Sequence, residues 1–524
     1  MVPGLLALAL VLGVVAAALA GLALAAGPSL PVVPWGYVGG VVAFSLWQAL
    51  VSTILSLALG AGLALALARR TRFAGRTLLI AAMNLATVLP AIVVVFGVVT
   101  VFGRAGWLGE GMRALGFDMG SWLYGLPGIL IAHVFFNAPL AARVFLAGLA
   151  AVPAEHWRLA AQLGMGPLAV FRFIDRPVLL REAPGLAGLV FLLCFTSFAV
   201  VLALGGGPRA ATLEVSIYEA LRFDVDFGRA GVLAALQIVL GLVLVLPILR
   251  LGTRAAEAAA TGFVEARPDV EAVLPKVLDA LVLALGTGLV LPPLAAVALS
   301  GARALATLAQ PEVLASLATS VVVAIPAGAL SVALALAFAG LTRRLRIARA
   351  RPRAADAVSL AGLVILVMPP FTLAAGLFVV LRLVADPFAL GLPLLALVNA
   401  LMALPLVLRQ VEPPLMLSAE RYGHLAESLG IVGTDRLRLV DAPLLRRPVI
   451  VAFAAATALS LGDLGVAAFF GSGEFVTLPV LLHQRLGAYR MDEAASVALL
   501  LALLAFAFFI LAQHFSGDGR AGDR

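Results

Sequence analysis

The chain alternates between long apolar runs and short polar joints. Twelve runs read as membrane spans, since roughly 20 consecutive apolar residues cross a bilayer as a helix. They cover residues 5–26, 38–68, 77–102, 124–150, 184–205, 229–249, 277–300, 315–341, 355–383, 390–410, 448–471 and 492–513. The pattern predicts an all-α integral membrane protein with about 12 transmembrane helices.

Two joints, 151–183 and 411–447, are longer and mix apolar, acidic and basic residues. Residues 154–163 read as a short helix, with Glu155 near its start and Trp157, Leu159, Ala160, Ala161 and Leu163 along it. Gly164 stops it, as a left-handed glycine does at a helix end. A second copy runs from Glu420 to Leu429 and stops at Gly430. Small residues at Ala160, Ala161 and Ala426 allow another surface to approach closely. Pro177 and Pro443 mark the turn back towards the membrane.

These joints belong to an internal repeat. Leu-Ala-Ala-Gln-Leu-Gly (159–164) and Phe-Arg-Phe-Ile-Asp-Arg-Pro (171–177) correspond to Leu-Ala-Glu-Ser-Leu-Gly (425–430) and Leu-Arg-Leu-Val-Asp-Ala-Pro (437–443). Asp175 and Asp441 each stand two positions before the proline. Further on, Leu-Gly-Gly-Gly (204–207) parallels Phe-Gly-Ser-Gly (470–473). Six spans per repeat is an even number, so the halves share one orientation, unlike an inverted repeat. The expected organisation is a first transmembrane domain at 1–250, a cytoplasmic linker at 251–276, a second domain at 277–513 and a tail at 514–524.

Composition agrees: 63% of the 524 residues are apolar and 12% charged, too apolar for a soluble core. The single cysteine, Cys194, excludes a disulfide within one chain. Five scattered histidines form no metal-binding pair. The one lysine, Lys276, lies in Leu-Pro-Lys-Val, so there is no Walker loop and no cofactor is expected on this chain. The net charge of +8 comes from arginines in short loops: Arg69, Arg70, Arg72 and Arg76, then Arg343, Arg344, Arg346, Arg349, Arg351 and Arg353. Acid-free clusters of this kind mark the cytoplasmic side, with anionic lipid as their partner, and argue against nucleic acid. Both termini are then expected in the cytoplasm. Residues 1–26 lack the basic start of a signal peptide, and their apolar run is longer than one needs.

The two joints resemble the EAA motif of ABC importer permeases, E-A-A-x3-G-x9-I-x-L-P. Ala160, Gly164, Ile174 and Pro177 are in register in the first copy, and Ala426, Gly430, Val440 and Pro443 in the second. Arg158 and His424 occupy the family's glutamate position, with Glu155 and Glu420 a few residues earlier. Arg176 and Ala442 replace the leucine before the proline. The resemblance implies a type I importer permease fold in the bacterial inner membrane. It also implies two cytoplasmic ATPase subunits, carrying ATP and Mg, docked on the two loops, and a periplasmic binding protein. Residues 202–221 and 458–471 further resemble the thiamine and thiamine pyrophosphate permeases of this family, implying those substrates and a thiamine-binding protein. Ferric-iron permeases share the fused layout and are the alternative cargo.

An ion-coupled carrier would need several intramembrane carboxylates, and only Asp463 qualifies; a membrane enzyme would need clustered acids and histidines. Asp463 could attract a cationic substrate or form a helix-end hydrogen bond. His133 and Asn137 share one face of the fourth span and either line a path or bond between helices. Ser197 is the counterpart of Asp463 in the repeat, beside Phe195, which could stack on a substrate ring or simply pack. Arg209, Glu214, Glu219, Arg222, Asp224 and Asp226 on the outer side read as a solvated loop or a docking site. Ser-Gly-Asp-Gly-Arg (516–520) reads as a tail.

Overall fold

The computed structural model describes residues 2–26, 34–118, 120–207, 210–251, 267–348, 350–431, 433–471 and 475–516. Most of the 251–276 linker, Arg209, Arg349 and residues 517–524 of the tail lie outside them. Among the described residues there are helices and no strands. In a bilayer every backbone group must be paired internally, and a helix does this within one segment.

The first repeat contains α1 (Val2–Ala26), α2 (Trp35–Arg69), α3 (Arg76–Ala86), α4 (Ala91–Phe102), α5 (Trp107–Ala114) and α6 (Leu126–Ala150). It continues with α7 (Ala154–Gln162), α8 (Pro167–Val170), α9 (Arg176–Phe195), α10 (Ala199–Leu204), α11 (Leu213–Arg222) and α12 (Phe227–Leu251). The second contains α13 (Val273–Arg303), α14 (Pro311–Arg343), α15 (Pro352–Leu363), α16 (Pro370–Leu381) and α17 (Gly391–Ser428). It ends with α18 (Gly433–Arg436), α19 (Ala442–Leu461), α20 (Gly465–Phe470), α21 (Leu478–Gly487) and α22 (Met491–Ser516).

Eleven helices among the described residues are long and apolar enough to cross a membrane. Two of the expected continuous spans are broken instead, at matching places. The 77–102 run divides at Thr87–Pro90 into α3 and α4, and the 355–383 run divides at Pro369 into α15 and α16. Proline offers no N–H and pushes the residue before it out of the helical region. The 184–205 and 448–471 runs also break, at 196–198 and 462–464, so α10 and α20 are separate short helices.

The chain packs as two compact units, whose boundaries follow a different line from the repeats. One unit comprises Pro34–Val215 and Val239–Ser300, so α13 packs with the helices of the first repeat. Its core joins Leu63, Leu67, Leu79, Met83 and Ala142, with Val282 of α13 against them. A Cβ at Gly97 of α4 would lie 2.6 Å from the Pro293 carbonyl of α13. The other unit comprises Met1–Val33, Ser216–Ile238 and Gly301–Arg524. Here α1 packs on α16, and a Cβ at Gly376 would run into the Ala18 carbonyl. Close backbone approach through glycine is how helices associate without a hydrophobic driving force.

The expected outer loops are partly helical and buried. Thr212, Glu214 and Ser216 are nearly inaccessible, and the Leu213 N–H donates to Ser45 Oγ at 3.0 Å. In the other unit the Leu478 N–H donates to Ser320 Oγ at 2.8 Å. Leu213, Ile217, Ala220 and Leu221 recur at helical spacing and are all buried, so 213–222 forms a packed helix, while Arg222, Asp224 and Asp226 at and beyond its end are exposed.

Candidate functional site: the paired repeat loops

The helix α7 ends as its sequence requires. Gly164 has φ +59, the Gly164 N–H donates to the Ala161 carbonyl at 3.1 Å, and the Met165 N–H to the Ala160 carbonyl at 2.9 Å. In the second loop Gly430 has φ +66, with its N–H to Glu427 at 3.1 Å and the Ile431 N–H to Ala426 at 2.8 Å. Both are complete Schellman caps, satisfying carbonyls a helix end leaves free.

Beyond each glycine the chain returns through α8 or α18 and a single widened π-turn, Phe171–Asp175 or Leu437–Asp441. The Arg176 N–H reaches back to the Phe171 carbonyl, and the Ala442 N–H to the Leu437 carbonyl. Pro177 and Pro443 follow one residue later. A proline ring inside a helix clashes with the carbonyl four residues back, and widening the turn relieves that clash. The prolines therefore sit within a helical re-entry, where a turn was expected.

Each π-turn ends in a buried aspartate. Asp175 is fully buried and accepts from Arg267 Nη2 at 3.0 and 2.8 Å, with Arg69 Nη2 at 3.5 Å. Asp441 accepts from Arg343 Nη1 at 2.8 Å and from Ser418 Oγ at 2.8 Å. A buried carboxylate persists only when paired and hydrogen-bonded. Around Asp175 the pairing extends: Asp269 accepts from Arg267 and Arg69, and Asp279 from Arg69 and Arg70. Arg69, Arg70 and Arg343 thus hold carboxylates of the protein, where lipid was the expected partner. Burial pushes the Asp269 carboxyl up, but the guanidiniums of Arg267 and Arg69 outweigh it and hold the carboxyl below its usual range. Neither Arg267 nor Ser418 had been singled out; the signal for both was the duplicated aspartate itself, which required partners.

The outward face of the loops is apolar at matching positions. Leu159 and Leu163 are exposed in the first loop, and Leu425 and Leu429 in the second. Phe173 and Leu439 are likewise matched and exposed. Ala160 and Ala426 are buried beneath them, while Ala161 is exposed. Glu155, Arg158, Glu420 and His424 are all exposed; Ile174 and Val440 are half-buried, and Pro177 and Pro443 exposed. Glu155 lies in the first turn of α7, where the helix dipole favours an acid. Glu420 has no such place. The expected short helix from Glu420 to Leu429 is the last part of the 38-residue α17, because no proline stands where Pro153 separates α6 from α7.

The pathway candidates divide between the units. In one, His133 Nδ1 lies 2.9 Å from Ser52 Oγ, and Asn137 Nδ2 lies 3.3 Å from Cys194 Sγ. Phe195 is buried and stacks on Phe191 with ring centroids 6.3 Å apart. Ser197 is half-buried at the break between α9 and α10. In the other unit Asp463 is half-buried at the break between α19 and α20. Its carboxylate accepts from the Ala467 N–H at 3.1 Å and the Val466 N–H at 3.4 Å, capping α20. Among the described residues no group of acids, histidines and cysteine could hold a metal ion.

Residues 56–251 match the family described as binding-protein-dependent transport system inner membrane component. The chain is 43% identical over 481 residues to the thiamine transport system permease protein ThiP of Brucella abortus, covering 91% of this chain and 88% of that protein. It is 42% identical over 526 residues to ThiP of Escherichia coli, covering 99% and 97%. A Haemophilus influenzae protein named as a ferric transport system permease, FbpB 1, is 29% identical over 213 residues, covering 39% and 32%.

Proposed function

Because the chain belongs to the thiamine transport permease family of binding-protein-dependent ABC importers, we propose that it forms the membrane pathway for thiamine and thiamine phosphates. A multi-pass permease of this family works with an ATPase and a binding protein. In our reading, two copies of a cytoplasmic ATPase, carrying ATP and Mg, dock on the two loops, and a periplasmic protein delivers the vitamin. The chain itself hydrolyses nothing. It lies in the bacterial inner membrane with both termini in the cytoplasm, as the arginine distribution favours.

The observation that carries the cargo is similarity along nearly the whole chain to thiamine permeases, against 39% of it to a ferric one. The observation that supports the coupling mechanism is the duplicated capped helix with exposed leucines at matching positions. Leu159, Leu163, Leu425 and Leu429 would enter grooves on the ATPases, with Glu155, Arg158, Glu420 and His424 at the polar rim. ATP binding would draw the docked loops together, and hydrolysis would release them. Asp463 and Ser197, partly accessible at helix breaks, are the better candidates for substrate contact. His133, Asn137 and Phe195 are buried, which favours a packing role for them.

The test is uptake of labelled thiamine by cells lacking this chain, with and without it restored. Restored uptake, blocked by unlabelled thiamine pyrophosphate and untouched by ferric iron, is the expected result. Failure to restore it, with the ATPase and binding protein present, would refute the cargo. A Walker-lysine variant of the ATPase should abolish uptake, and survival of uptake would favour an ion-coupled carrier.

A further inference from the structure

Among the groups that hold the first loop, Arg267 is supplied from outside it. It immediately precedes the turn leading into α13, and its side chain is 4% exposed. Its guanidinium lies over the Trp157 ring of α7, 4.4 Å from the centroid. The same guanidinium bonds Asp175 at the end of the π-turn and Asp269 beside it. Arg69, at the end of α2, touches Asp175, Asp269 and Asp279, and Asp279 lies on α13. A continuous set of contacts, a cation–ring stack on α7 followed by charge-assisted bonds, therefore runs from the docking helix through Arg267 to α2 and α13. Three acids and three arginines (Arg69, Arg70 and Arg267) balance within it, as burial of such a set requires.

We infer that Arg267 is a positioning residue that transmits movement of the first loop to the spanning helices α2 and α13. This rests on the reading of α7 as an ATPase docking helix. A separate nine-residue helix beyond a proline break can swing on its joint, and a force applied to it reaches the membrane only through what grips it. Arg267 grips at two points, the Trp157 ring and the Asp175 carboxylate. Its planar fork spans both acids, which a lysine ammonium does not do. Among the described residues the second loop uses no such residue: Asp441 is held by Arg343 of α14 and by Ser418 of α17 itself.

The experiment uses the whole complex, chain plus ATPase, in vesicles with the binding protein and labelled thiamine. The charge-balanced double variant Arg267→Gln with Asp269→Asn should retain the ATPase on co-purification. Thiamine imported per ATP hydrolysed should fall about tenfold, at the scale of coupling changes along such networks. Arg267→Lys should recover part of the ratio, which a mere filling role would not predict. An unchanged ratio in the double variant, or loss of the ATPase from the complex, would overturn the inference. If the double variant does not accumulate, Trp157→Leu decides: the same fall in ratio supports the grip, and a wild-type ratio refutes it. Absence of thiamine import by the unmutated complex would instead remove the cargo reading. Stimulation of ATP hydrolysis by the binding protein then reports on Arg267 in its place.

Discussion

The first and second repeated loops end alike and are supported differently. Both close a helix with a left-handed glycine, return through a π-turn and bury an aspartate at its end. In the second, the segment that ends at Gly430 is the tail of α17, one continuous helical rod even with Pro405, Pro413 and Pro414 inside it. In the first, Val152-Pro153 interrupts the rod, and α7 is a separate piece. Its Trp157 meets Arg267, whereas the second loop has Gly423 at the matching position, with Arg436 Nη2 3.8 Å from where a Cβ would stand. The comparison teaches that one geometry can be fixed by helix continuity or by an external clamp. The clamp is needed where continuity is lost.

The largest expected effect breaks the clamp. Asp175→Asn leaves Arg267 and Arg69 short of an acid in a buried site, and removing one partner of a buried pair costs about 3–5 kcal/mol. Asp441→Asn should cost about 1.5–3 kcal/mol, the range for a hydrogen bond to a charged group, because Arg343 is 19% exposed and can turn to solvent. Thermal unfolding of the detergent-solubilised protein measures both, and equal losses would undo the comparison.

Next in size is the rod. Ala419→Pro places at the matching position of α17 the residue that interrupts the first loop, and a proline inside a helix costs about 3 kcal/mol. Uptake should fall, since among the described residues no counterpart of Arg267 holds the second loop. Pro153→Ala should leave stability nearly unchanged. A second loop that tolerates proline as the first does would show that continuity is not its support.

How much of this could be read from residue order depends on whether the signal was local. The capped helices were legible, because a glycine after an apolar-periodic segment has one common use, and the repeat marked both. Duplicated aspartates before prolines were visible too. Their partners were not: Arg267 lies 92 positions from Asp175, and no periodicity links them. Arginine clusters at span ends satisfy the positive-inside pattern whether or not they are paired, so composition could not separate Arg69 from Arg72. Continuous runs were expected at 77–102 and 355–383 because hydropathy averages over a proline, while the backbone does not.

The glycines come next, and here the loops should behave alike. A Cβ at Gly164 or Gly430 would meet nothing within 4 Å, so a substitution suffers from the positive φ alone. Gly164→Ala and Gly430→Ala should each cost about 1–2 kcal/mol, and Asn at either position less, since it tolerates that region. Amide exchange in the last turn of α7 and of α17 reads the fraying. Gly164→Asp with Gly430→Asp adds a charge on the docking face and should abolish uptake while the protein stays in the membrane. Undiminished uptake would remove the coupling role.

The smallest effect is one of pH and concerns the first loop. An aspartate ordinarily titrates near 3.8, and Arg267 and Arg69 hold Asp269 below that value against the opposing push of burial. A carboxyl held below its usual value stabilises the fold fully above that value, and the contribution is lost as pH falls through the folded-state value. Between pH 8 and 5 the difference in unfolding temperature between wild type and Asp269→Asn should therefore be constant. Below about pH 4 it should narrow, because protonation does to the wild type what the substitution has already done. A difference that already shrinks between pH 7 and 6 would mean that Asp269 is not held by the two arginines, and the clamp would lose one of its two acids.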